Sequence, residues 1–168
     1  GLSESYTVIG KGSLGIFPIP VLIFVAAAAI GIFFLNFTKF GRHVFAVGGN
    51  ERSAIVSGIN ARAIKFTCYV ISGFASALAA IVLSSRIQTG QPAGGEGYEL
   101  DAITAVVIGG ASLSGGSGSI LGTVVGMMII GVMTNGLDLL NVSSYYQQVI
   151  KGVIILIAVL SDRKKNQG

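Results

Sequence analysis

Charge is scarce in this chain. Charged residues are 11% of its 168 positions, against about 25% in an ordinary soluble domain. Hydrophobic residues are 52%, and 25 glycines come on top. A soluble domain of this length could not cover such a chain with polar surface. Lipid can, because it needs no polar cover. Length alone suggests one domain. Cysteine and histidine are almost absent. A single cysteine, Cys68, excludes an intrachain disulfide and a cysteine metal site, and in its apolar run it reads as a small buried residue. The one histidine, His43, stands beside Arg42 and reads as a solvated loop residue. A membrane-embedded enzyme would need nucleophile, base or metal ligands gathered at one depth. That class ranks low here, and no catalytic or metal-binding residue is expected.

A phosphate-binding lysine is also missing. The run Gly109-Gly110-Ala111-Ser112-Leu113-Ser114-Gly115-Gly116-Ser117-Gly118 has no Lys after its last glycine, so it is not a P-loop. The dinucleotide spacing fails as well, since the glycine after Gly118 is Gly122. The run reads as a tight turn between membrane helices, and the chain is expected to bind no ATP and no other cofactor itself.

The charge that is present is clustered. Of 11 Lys and Arg, five lie between Lys39 and Lys65, and three more are Arg163, Lys164 and Lys165. Uncharged apolar runs flank the first group, which is not the basic stripe of a nucleic-acid binder. The first span runs from about Gly12 to Thr38, with Pro18 and Pro20 at its start, where a helix tolerates proline best. A polar segment, Lys39–Lys65, follows. Its glycines at 41, 48, 49 and 58 suggest sharp turns. Inside it, residues 50–57 read as a short helix with Asn50 as N-cap, Glu51 at the positive dipole end and Gly58 at the C-terminal stop.

The second span is Phe66–Ser85, with small residues Ser72, Ser76, Ala80 and Ser84 every four positions, a pattern that lets helices approach closely in lipid. Arg86–Asp101 is polar and glycine-rich. Glu99–Leu113 is a third apolar segment, too short to be an ordinary span: fifteen residues rise only about 22 Å. It reads as a broken crossing helix or a re-entrant one. A turn at Ser114–Ser119 leads to the fourth span, Gly118 to about Leu137, where Gly118, Gly122 and Gly126 form a helix-packing face. The last span runs from about Ser143 to Leu160, with Tyr145 and Tyr146 suited to an interfacial belt. The expected fold is all-α: a polytopic transmembrane helical bundle with one short, broken or half-length helix. If Glu99–Leu113 crosses, Lys39–Lys65 and the C-terminus share the cytoplasmic side. The inside loops then carry eight basic residues and the outside loops two, Lys11 and Arg86, as the positive-inside rule requires.

A few polar residues stand out. Glu96, Glu99 and Asp101 form an acidic cluster near the start of the short helix. Lys151 lies about 12 Å into the last span, where an unpaired lysine costs about 2.5–3.5 kcal/mol or more. It should pair, with Asp138, Asp101 or Glu99 as candidates, or snorkel outward. Glu99, Asp101, Asn135 and Lys151 are candidates for translocation or gating. Asn36-Phe37-Thr38 and Asn141-Val142-Ser143 match glycosylation sequons weakly.

Several longer strings are specific. Gly41-Arg42-His43-Val44-Phe45-Ala46-Val47-Gly48-Gly49-Asn50-Glu51 is followed by Ser57-Gly58-Ile59-Asn60, then by Gly97-Tyr98-Glu99-Leu100-Asp101-Ala102-Ile103 and Val107-Ile108-Gly109-Gly110-Ala111-Ser112-Leu113. Gly115-Gly116-Ser117-Gly118-Ser119-Ile120-Leu121-Gly122-Thr123, Asn135-Gly136-Leu137 and Ser143-Ser144-Tyr145-Tyr146-Gln147 come next. In this order and spacing, from about Ile16 onward, the chain resembles the permease subunit of bacterial ribose-type sugar importers of the ATP-binding-cassette class. It resembles the C-terminal half of a single permease domain, so that residues 1–168, which begin with Gly1, are expected to be a fragment. The resemblance implies a multi-pass protein of the bacterial cytoplasmic membrane that moves a ribose-like sugar. It implies a second permease subunit, a separate cytoplasmic ATPase that uses the ATP, and a periplasmic sugar-binding protein. It also implies that a cytoplasmic coupling loop within about 39–65, including Gly49, Asn50, Glu51, Arg52, Ala54, Ile55, Gly58 and Ile59, docks on the ATPase. Relatives often have Ala at the places of Arg52 and Ser53, which leaves the contacts there open. Related permeases carry other sugars, a signalling furanose or branched-chain amino acids, and an ion-driven transporter is a further alternative.

Overall fold

The computed structural model describes residues 10–91 and 94–165, with side chains for all of these except Leu14 and residues 161–165. The described residues are mostly helical. A two-residue strand pair, β1 (Ser13–Leu14) and β2 (Phe17–Pro18), runs antiparallel around Gly15. Helix α1 (Ile19–Phe37) then carries the first span. Pro18 caps it and Pro20 sits in its first turn, where the missing N–H has no intrahelical partner to lose. The helix is therefore shorter than the Gly12–Thr38 stretch, because the hairpin takes up its first residues.

The polar segment is more helical than its glycines suggest. It forms α2 (Lys39–Gly49) and α3 (Glu51–Val56). Gly41, Gly48 and Gly49 lie inside α2 and make no turns, and His43 is a half-buried helical residue there, not a solvated loop residue. A side chain at Gly41 would run into the backbone of Leu35, so this glycine allows the sharp corner between α1 and α2. Thr38 shapes the same corner: its hydroxyl donates to the Phe34 carbonyl at 2.6 Å and accepts from the Gly41 N–H at 3.3 Å. That local double duty gives Thr38 a structural role at the corner.

Helix α4 (Ala61–Ile87) begins five residues before the expected Phe66, with Asn60 Oδ1 accepting from the Ala63 N–H at 3.1 Å. Arg62 and Lys65 thus belong to the first turns of a long helix. The short helix is α5 (Tyr98–Ile108), eleven residues, or about 16 Å. Gly110 ends it with φ +84, and the Ala111 N–H bonds back to the Val106 carbonyl at 3.1 Å, the Schellman pattern. Helix α6 (Ile120–Leu139) starts at Ser119, whose hydroxyl accepts from Gly122. Gly118 is therefore outside this helix, in the turn. Asn141 adopts φ +55 and closes α6, with the Val142 N–H bonding to the Leu137 carbonyl at 3.0 Å. Helix α7 (Ser144–Lys165) is the last described element.

Helices α1, α4 and α6 are each long and apolar enough to cross a membrane, and α7 carries a shorter apolar stretch, Ser144–Leu160. Large apolar side chains cover the outside: Phe33, Phe74, Met128 and Leu156 are all exposed. Small residues fill the inside, notably Ala105 and Gly126. This is an inside-out pattern for water and an ordinary one for lipid. The molecule is a multi-pass membrane helical bundle.

The elbow formed by α2 and α3 marks one end of the bundle, and the turn at 109–119 rests against it. Gly10 marks the other end, its N–H donating to Ser85 Oγ at 2.8 Å. Helix α5 therefore runs toward the elbow end and α6 leaves from it. Between α4 and α6 the chain therefore returns from the Gly10 end to the elbow end, with α5 supplying part of that path.

Candidate functional site

Two places gather the polar residues of interest. The first is the elbow. Asn50 Oδ1 accepts from the Ser53 N–H at 3.0 Å and starts α3. Gly58, at φ +84, stops it, and the Ile59 N–H returns to the Ala54 carbonyl at 3.0 Å. Ala54 points inward and packs with Val47 and Ala61, with Ile59 and Ile64 beside them. Arg52, Ile55 and Val56 point outward, Val56 being 88% exposed. Lys65 Nζ reaches both carboxylate oxygens of Glu51 at 2.7 Å, tying α3 to α4. Both side chains are about half exposed, so this pair is worth at most about 1 kcal/mol. The result is a short, doubly capped helix held at the edge of the bundle with an apolar tip.

The second place lies where α5, α6 and α7 meet. Lys151 is 6% exposed, and its ammonium meets the carboxylate of Asp101 in the first turn of α5. One turn earlier on α7, Gln147 is 4% exposed; its amide donates to Asp138 Oδ1 of α6 at 2.7 Å and to the Val142 carbonyl at 3.0 Å. Residues four apart share a helix face, so α7 presents one polar edge that grips both neighbours. Gln147 was not singled out from the sequence. Its signal is the four-residue spacing to Lys151.

Of the three candidate partners for Lys151, the structure places Asp101 against it, gives Asp138 to Gln147 and leaves Glu99 exposed. Asn135 is elsewhere. It lines an open groove on the outer face of α6 with Met128, Val132 and Leu139, opposite the face that carries Gly126 and Ile130. Gly122 and Gly126 lie against the backbone of α5, at Gly109 and Ala105, where any side chain would collide. Gly118 packs on Ala111. Among the described residues no group of His, Cys, Asp and Glu is arranged to hold a metal.

Comparison with known proteins adds the lineage. The family described as branched-chain amino acid transport system / permease component matches residues 3–159. The ribose import permease protein RbsC of Bacillus subtilis (strain 168) is 50% identical over 166 residues, covering 99% of this chain and 52% of the relative. RbsC of Escherichia coli (strain K12) is 49% identical over 148 residues, 88% of this chain and 46% of the relative. The xylose transport system permease protein XylH of Haemophilus influenzae is 46% identical over 145 residues, 86% of this chain and 39% of the relative. The chain thus spans about half the length of the curated relatives it matches. No solved structure matches it. The family match over nearly all of a chain built as a membrane bundle establishes that it belongs to this permease family.

Proposed function

We propose that this chain is part of the membrane permease of an ATP-driven importer, and that it moves a pentose such as ribose across the bacterial cytoplasmic membrane. The observation that carries the reading is the identity of 45–50% with ribose import permeases over most of the chain. In this reading the elbow faces the cytoplasm. A separate ATPase subunit docks on α3 through Arg52, Ile55 and Val56, while Gly49, Asn50, Glu51, Ala54, Gly58 and Ile59 set the shape of that helix. The ATPase holds and hydrolyses the ATP; this chain binds no cofactor. A second permease copy completes the path, and a periplasmic binding protein delivers the sugar. The C-terminus is cytoplasmic. Asp101 and Lys151 gate the path by fixing the start of α5, with Glu99 as a further polar position beside them; Asn135, on the outer face of α6, acts in translocation only where that face meets the second permease copy.

The physical support is the division of labour. The elbow has the caps and the exposed apolar tip that a docking helix needs, and the basic residues cluster beside it as cytoplasmic loops require. Radiolabelled uptake by the full importer in cells tests the reading, with ribose, xylose, arabinose and leucine as substrates. ATP-dependent pentose uptake is the expected result. The family description names branched-chain amino acids, and leucine uptake without pentose uptake would replace the sugar by that solute. Uptake without any co-purifying ATPase would replace the ATP-driven mechanism by an ion-driven one. Single cysteines placed in 39–65 and labelled in intact cells test the orientation: reaction with an impermeant reagent there would overturn it.

A further inference from the structure

The elbow touches the bundle at a point without side chains. Gly48 and Gly49 form the last turn of α2, and Asn50, the cap of α3, follows directly. Opposite them lie Gly115 and Gly116 in the turn between α5 and α6, both with positive φ. A Cβ at Gly48 would stand 2.7 Å from the Gly116 nitrogen. One at Gly115 would stand 2.5 Å from the Gly48 oxygen, and one at Gly116 2.6 Å from the Gly49 Cα. Backbone rests on backbone at this point.

Such a contact is stiff. Side chains between two elements can change rotamer and absorb a displacement, whereas close-packed main chain cannot. The turn itself is braced: the Ser112 N–H bonds the Ser117 carbonyl at 3.0 Å, the Gly115 N–H bonds the Ser112 carbonyl at 3.2 Å, and the Ser114 N–H bonds Ser112 Oγ at 3.2 Å. Beyond the turn, Gly109 on Gly122 and Ala105 on Gly126 continue the main-chain contact between α5 and α6.

We propose that the elbow and the 109–119 turn move as one rigid piece, so that displacement of α3 passes undiminished to the half-length helix α5. Gly48 and Gly116 are then positioning residues for transport. This rests on the docking role given to the elbow above. The proposal separates two neighbouring glycines. Gly48 has no room for a methyl group, whereas at Gly49 the nearest atom, the Gly116 Cα, would be 3.8 Å from a new Cβ. By helix preference alone both substitutions to Ala stabilise α2.

The test uses the full importer in liposomes, with its ATPase and binding protein and with Cys68→Ser as background. Spin labels at Ser57→Cys and Leu113→Cys, both exposed, report the distance between elbow and turn. Labels at Ser57→Cys and Tyr145→Cys report the distance to the far end of α7. Between nucleotide-free and ATP-bound states the first distance is expected to hold within about 2 Å while the second changes. A change in the first distance as large as the second overturns the proposal. No change in either removes the docking role, and the proposal with it. Gly48→Ala is expected to lower solute moved per ATP hydrolysed about tenfold, while Gly49→Ala leaves it unaltered. Equal effects from the two overturn the assignment of Gly48.

Discussion

The ammonium of Lys151 in α7 meets the carboxylate of Asp101 in the first turn of α5, and both groups lie largely out of solvent, at 8% and 22% side-chain exposure. A lysine this deep in a span is costly when alone. Paired, it turns the cost into a link between the shortest helix and the last one. Lys151→Met would strand the Asp101 charge and lower stability by about 3–5 kcal/mol. The double change Lys151→Met with Asp101→Asn removes both charges and is expected to recover most of that loss. Thermal unfolding of the purified variants in detergent measures it; a double variant as unstable as the single one would show that the pair does not hold α5 to α7.

Gly58 offers a second prediction. Its φ of +84 ends α3, and a side chain there costs about 1–2 kcal/mol. Nothing lies within 4 Å of its missing Cβ, so crowding adds nothing. Gly58→Val should leave membrane insertion intact and abolish ATP-coupled uptake. Normal uptake by that variant would count against α3 as the docking helix.

Gly126 and Gly131 sit in the same helix and predict opposite signs. A Cβ at Gly126 collides with the Ala105 carbonyl, while Gly131 faces open space. Gly126→Ala overpacks the α5–α6 seam and should cost about 1–3 kcal/mol. Gly131→Ala should gain about 0.5–1 kcal/mol from helix preference. The difference in melting temperature between the two variants reads this directly.

The pair Glu51–Lys65 predicts a small effect. Both side chains are about half exposed, so Glu51→Gln should shift stability by no more than about 1 kcal/mol. The shift should also shrink in high salt. A larger, salt-independent loss would mean that Glu51 holds the elbow through some other contact.

Much of this architecture was legible in the sequence, because a span is a property of local composition. The runs at 19–37 and 120–139 are apolar whatever they pack against. The start of α4 was less legible. Arg62 and Lys65 made its first turn look like loop, yet long basic side chains at a helix end can keep their heads outside the hydrocarbon. The glycines of α2 misled for a different reason. Gly41 and Gly48 are there because another backbone comes close, at Leu35 and at Gly116, and a single sequence does not reveal which distant residue that is. Lys151 announced that it needed a partner. Which acid it takes is decided by the packing of α5 between α6, antiparallel to it, and α7, parallel to it, a tertiary fact.

Eleven residues make α5 about half as long as a hydrocarbon core of about 30 Å is thick. The main chain leading into Tyr98 bends through turns at Gly94–Gly97, and an oily phase cannot satisfy the peptide groups of such a bend. On the side away from the elbow, then, the bend before Tyr98 needs a cover other than lipid, supplied by protein or by water. How far that cover must extend follows from the length of one helix.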